Sequence, residues 1–120
     1  MISIINYGIN NINSIKNCLN KLNIECSVVY KPEEVGKGNK IILPGVGSFV
    51  IAMQKLEENN WSSFLKKFTQ NKKNFLLGIC LGMQLLANKS FEETESEGLK
   101  LIDCDVKKLS EMNCKKKLPH

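Results

Sequence analysis

The segment that most restricts how this chain can fold is 75–82. Phe75, Leu76, Leu77, Gly78 and Ile79 form an apolar run that leads directly into Cys80-Leu81-Gly82. A short run this uniformly apolar reads as a strand covered on both faces, the pattern of a parallel sheet. Residues 81–86 continue as a helix, so Cys80 falls at a strand-to-helix junction. The same alternation recurs upstream. Residues 2–6 read as a strand ending at Tyr7-Gly8, and Ile12, Ile15, Leu19 and Leu22 follow at helical spacing. Residues 26–30 carry the β-branched Val28 and Val29, and Pro32 ends that strand because it has no N–H for a ladder. A third strand, 40–43, leaves through Pro44-Gly45-Val46-Gly47, with Ser48 placed to cap a helix carrying Ala52, Met53 and Leu56. Trp61, Phe64, Leu65 and Phe68 then mark a helix whose apolar stripe packs on the sheet while Lys66, Lys67 and Lys72 face water.

Strands alternating with helices specify an α/β fold: an open, mostly parallel sheet with helices on both faces and right-handed crossovers. In such sheets ligands bind at the carboxyl ends of the strands. The glycine-rich turns 44–47 and 78–82 both leave strands at that edge and are expected to face each other across one pocket. Beyond Asn88 the pattern predicts an acidic loop over 92–97, a strand over 99–102, and a segment 103–108 that extends or returns it.

At 120 residues, 42% hydrophobic and 24% charged, the composition is that of one compact domain. No stretch approaches the roughly 18 consecutive apolar residues of a membrane span, and no basic segment precedes a cleavable apolar run, so a cytoplasmic protein is expected. Cys18, Cys26, Cys80, Cys104 and Cys114 make an odd count without CxxC spacing, which predicts free thiols and neither disulfide framework nor metal site. Cys18 and Cys26 are assigned to the core. The net charge of +5 owes much to Lys107, Lys108, Lys115, Lys116 and Lys117. No aromatic residues interleave them, so they read as a solvated face and no nucleic acid is expected. A dinucleotide cofactor is not expected either, because Val50 stands where Gly45-Val46-Gly47 would need a third glycine.

Gly78-Ile79-Cys80-Leu81-Gly82 has the glycine-x-nucleophile-x-glycine form of a strand-to-helix elbow, with a thiol in place of serine. The absent side chains at Gly78 and Gly82 relieve crowding where the turn meets neighbouring backbone. Cys80 would start a helix, where unpaired N–H groups favour a thiolate nucleophile. The Leu81 N–H would face the oxyanion formed by attack on a carbonyl, and the Gly45-Val46-Gly47 turn would supply a second donor by turning a peptide plane inward. Spacing alone leaves a second reading open, in which Cys80 is a small buried hydrophobe.

The longer string from Gly78 through Met83-Gln84-Leu85-Leu86 resembles the nucleophile elbow of class I glutamine amidotransferases. Leu43-Pro44-Gly45-Val46-Gly47-Ser48-Phe49 resembles the oxyanion loop of one subfamily, the glutaminase subunits of imidazole glycerol phosphate synthase. Ile5-Asn6-Tyr7-Gly8 with Asn11 and Ser14 is similar to its first strand and turn, and Glu97-Gly98-Leu99 through Leu101-Ile102 to a later strand. The resemblance implies a flavodoxin-like sheet in which residues 1–120 are the N-terminal part of a single such domain. It implies that Cys80 attacks the amide of glutamine, that Gln84 helps hold that substrate, and that ammonia passes to a (β/α)8-barrel cyclase subunit in histidine biosynthesis. Similar subunits serve nucleotide-sugar or surface-saccharide pathways, and a non-catalytic partner-binding remnant is the other alternative. The family usually has glycine where Asn10 and Lys100 stand. It also carries a catalytic histidine and glutamate on a later segment; His120, the one histidine here, matches a different position, so little glutaminase activity is expected of these residues alone.

Overall fold

The computed structural model describes residues 1–9 and 11–109. Asn10, Cys114, Lys115, Lys116, Lys117 and His120 therefore lie outside the described residues. In chain order the main elements are β1 (Ile2–Ile5), α1 (Ile12–Lys21), β2 (Cys26–Val29), a 3₁₀ turn (Pro32–Val35), β3 (Lys40–Leu43), α2 (Phe49–Glu58), α3 (Trp61–Phe68), β4 (Phe75–Gly78) and α4 (Leu81–Gln84). The four strands pair in parallel in the order β2-β1-β3-β4. This is the expected open α/β sheet, and the turns after all four strands gather at one edge.

Each strand alternates its side chains between two layers. Ile5, Ile41 and Leu43 point into a core closed by Phe49, Ala52 and Leu56 of α2 and Trp61 and Leu65 of α3. Ile4 and Ile42 point the other way, onto Ile12 and Leu19 of α1. The aromatic stripe of α3 packs as its spacing predicts: Trp61 and Phe64 meet edge to face at 5.6 Å, and Phe64 stacks on Phe68 at 5.8 Å. Ser48 caps α2, its hydroxyl accepting the Ile51 N–H at 3.3 Å, a contact of about 1 kcal/mol.

Several expectations need correction. The 75–79 run is not covered on both faces: β4 is an edge strand, with Phe75 60% and Leu77 56% exposed, because α1 lies over β1, β2 and Ile42 of β3 and no described element lies over that side of β4. The helix after Cys80 is a single turn that ends at Gln84. Its continuation tightens, the Leu86 and Ala87 N–H groups donating three residues back to Met83 and Gln84. Residues 99–102 form no strand, because the N–H groups of Leu99, Lys100 and Leu101 donate to the carbonyls of Leu85, Ala87 and Leu86. They brace the end of the elbow helix instead.

A small separate sheet follows, formed by β5 (Lys89–Ser90), β6 (Ser96–Glu97) and β7 (Asp105–Val106). The predicted acidic loop thus ends in β6, and the 103–108 segment contains β7. Lys107 and Lys108 are exposed. Cys18 is exposed and Cys26 half-buried, so Cys18 is not a core residue. It flanks the buried stripe of α1 and rims a groove lined by Ile15, Leu19, Ile42, Leu77 and Ile79. Lys100 has φ +57°, a left-handed conformation that suits glycine and costs a side-chain-bearing residue about 1 kcal/mol.

Candidate active site

The turn at the end of β4 is built by backbone contacts. The Ile79 N–H donates to Leu43 O at 3.0 Å, which carries the β3–β4 pairing one step past the strand. The chain then reverses at Cys80, with φ +55° and ψ −124°, a region that residues with side chains rarely occupy. Such strain persists where the surroundings hold it in place. Here the Gly82 N–H donates to Ile79 O at 2.9 Å and the Met83 N–H to Cys80 O at 3.0 Å, closing the turn on both sides.

Gly82 packs against the end of β3 so closely that a Cβ there would overlap the Leu43 carbonyl. The contact is reciprocal, since a Cβ on Gly45 would lie 2.6 Å from the Gly82 nitrogen. The two glycine-rich turns therefore touch backbone to backbone, as their positions at one sheet edge require. Cys80 is exposed at this junction. Leu81 is buried beneath it, and Gln84 is half-buried on the same single turn of helix.

The 44–47 turn has one fixed and one free end. Pro44 is fully buried, and its carbonyl accepts the Tyr7 hydroxyl at 2.7 Å. Gly45 is buried, Val46 is 45% exposed, and Gly47, at φ +90°, projects into open space. Neither the Val46 nor the Gly47 N–H finds an acceptor among the described residues. The Leu81 N–H differs from its expected orientation, because it donates to Gly45 O at 3.3 Å. In this conformation that carbonyl occupies the donor an oxyanion would use. A one-turn helix also adds only a small dipole at Cys80, since the macrodipole sums over aligned peptides.

Tyr7 is the residue of this site that pattern reading missed. The one available signal was a phenol at the end of an otherwise aliphatic strand, since a buried hydroxyl requires an acceptor. Its burial pushes the Tyr7 phenol well above its ordinary range. Among the described residues no group of three or more His, Cys, Asp or Glu side chains is arranged to hold a metal ion.

A family model described as glutamine amidotransferase class-I matches residues 3–118. The chain is 44% identical over 120 residues to imidazole glycerol phosphate synthase subunit HisH 2 of Methanococcus maripaludis, covering 100% of this chain and 58% of that one. It is 43% identical over 120 residues to subunit HisH of Bacillus cytotoxicus, with 100% and 56% covered. To subunit HisH of Leptospira interrogans it is 42% identical over 110 residues, with 92% and 53% covered. The chain thus spans little more than half the length of these relatives. Among solved structures, a glutamine amidotransferase superposes with a TM-score of 0.76 at 22% identity, covering 88% of this chain and 55% of that one. A putative peptidase E protein from Listeria monocytogenes superposes with a TM-score of 0.64 at 13% identity, covering 85% and 62%. Both likenesses concern the fold.

Proposed function

Because the chain belongs to the class I glutamine amidotransferase family, we propose that it contributes the thiol half of a glutaminase that feeds ammonia to imidazole glycerol phosphate formation. In this reading residues 1–120 are the N-terminal part of one amidotransferase domain working in the cytoplasm. Among the described residues no helix is long and apolar enough to cross a membrane. The observation that carries the reading is Cys80: an exposed thiol, held at φ +55° at the carboxyl end of a parallel strand, against a glycine turn with two N–H groups that have no acceptor among the described residues.

The Cys80 sulfur adds to the side-chain carboxamide carbon of glutamine, forming a C–S bond and placing negative charge on oxygen. Turning the Gly45-Val46 peptide withdraws Gly45 O from the Leu81 N–H and aims the Val46 N–H at the same point, giving the oxyanion two donors. Gly47 allows that motion, and Gln84 contacts the substrate. Collapse of the adduct breaks the C–N bond; the nitrogen takes a proton and leaves as ammonia, and water then frees glutamate from the thioester. Proton delivery is the task of a histidine beyond these residues, and a general acid–base group supplies about 10²–10⁴-fold in rate. Ammonia passes to a partner subunit, which in this reading is a (β/α)8-barrel cyclase; the relatives' names, as subunits of imidazole glycerol phosphate synthase, support a partner subunit.

The test is glutamate release from glutamine, with and without a (β/α)8-barrel cyclase subunit, for the native chain and Cys80→Ala. Slow release that depends on Cys80 and rises with the partner is expected. Equal release by the two proteins would overturn the assignment, and co-purification with a different synthase would redirect the ammonia to another acceptor.

A further inference from the structure

The proposed chemistry needs the 44–47 turn to move at one peptide and stay still at its neighbour. Pro44 has no N–H, so its carbonyl is its only backbone hydrogen-bonding group, and a buried carbonyl requires a donor. The donor is Tyr7, 37 residues away in sequence and one strand across, with its hydroxyl 2.7 Å from Pro44 O and its side chain 3% exposed. Among the described residues the next carbonyl, Gly45 O, is held only by the Leu81 N–H at 3.3 Å, and the two N–H groups after it have no acceptor. The boundary between held and free backbone is therefore Gly45.

Tyr7 is itself immobilised. The Asn6 side chain accepts the Gly8 N–H at 3.1 Å, and Lys55 donates from α2 to Gly8 O at 2.8 Å. That helix is capped by Ser48, immediately after the turn. The turn after β1, the turn after β3 and α2 thus form one braced unit, and Tyr7 is the strut between its two turns.

We propose that Tyr7 is a positioning residue for the Cys80 site, fixing the Pro44 end of the turn so that peptide rotation is confined to Gly45-Val46 and its N–H groups reach one defined point. The inference rests on Cys80 being the glutamine-attacking thiol. Without the hydroxyl, the Pro44 carbonyl is buried without a donor. The turn then gains a second pivot, and its donors no longer converge where the oxyanion forms.

Two reagents separate this role from a general loosening of the core. Iodoacetamide alkylates a thiolate by displacing iodide from a CH₂ carbon and needs no oxyanion donor. A glutamine analogue with a chloromethyl ketone in place of the carboxamide passes through an oxyanion adduct before the sulfur displaces chloride, so its rate depends on those donors. In Tyr7→Phe, labelling of Cys80 by the chloroketone should slow about tenfold or more while labelling by iodoacetamide stays within about twofold. Phe68→Leu, in the same core but on α3 and outside the braced unit, should change both rates alike. Installing 3-fluorotyrosine at position 7 keeps ring and donor, preserves the fold, and should leave the ratio of rates within about twofold of native.

Equal slowing with both reagents in Tyr7→Phe, no slowing at all, or a tenfold fall with 3-fluorotyrosine would overturn the inference. Native Cys80 reacting with the chloroketone no faster than Cys18 and Cys104 would overturn the glutaminase reading itself, and this inference with it.

Discussion

The two faces of the sheet differ in how far they are finished. On one, Ile5, Ile41 and Leu43 lie under two helices in a core that includes the fully buried Trp61, Leu56 and Leu65. On the other, α1 buries Ile4 and Ile42, while Phe75 and Leu77 of β4 stay more than half exposed beside it. The candidate site sits where the two conditions meet. Pro44, Gly45 and Leu81 are anchored in the closed layer, whereas Cys80 opens at the end of the strand whose other face is bare. The closed face explains how a strained backbone at Cys80 can be held, and the open face marks apolar surface that these residues leave uncovered.

That contrast can be broken by mutation. Leu65→Ala removes a fully buried side chain from the closed face and should lower stability by about 2–5 kcal/mol, read from a urea midpoint. The alkaline limb comes next. Burial raises the pKa of Tyr7 in the folded chain above its ordinary value, so its contribution is complete below about pH 10 and is lost as pH rises towards the folded value. The loss reaches about 1.4 kcal/mol per pH unit. Urea midpoints at pH 9 and pH 11 should converge for native chain and Tyr7→Phe if this is correct; a constant difference would contradict it.

Lys100→Gly should raise stability by roughly 1 kcal/mol, because it relieves a left-handed lysine and sacrifices only an exposed contact with Glu97 at 3.2 Å. The smallest effect belongs to the open face. Leu77→Ser should change stability by less than about 0.5 kcal/mol while lowering concentration-dependent association, seen by sedimentation. A cost comparable to Leu65→Ala would mean that this face is not open in solution.

The parts of the molecule legible in the sequence were those where sterics or periodicity allow few residue types. Gly82 and Gly45 are needed because a Cβ on Gly82 would enter the Leu43–Pro44 backbone and one on Gly45 would meet the Gly82 nitrogen, and the 61–68 aromatics repeat at helical spacing. The cover over β4 was not legible, because Phe75 and Leu77 show that a surface is apolar without showing what lies on it. Residues 99–102 misled for a different reason: their apolar character suits a strand, yet their N–H groups are claimed by the carbonyls of 85–87. The Tyr7–Pro44 bond joins residues too distant in the chain for any local pattern to link. The orientation of the Leu81 N–H depends on one peptide plane, and no residue choice records it.

The central claim is that Cys80 differs in kind from Cys18 and Cys104, the other exposed thiols among the described residues. The direct measurement is site-resolved mass spectrometry of the native chain treated with the glutamine-like chloroketone, with and without excess glutamine. The account predicts one adduct, on Cys80, suppressed by glutamine. Labelling spread evenly over Cys18, Cys80 and Cys104, or a Cys80 adduct that glutamine does not suppress, would contradict it.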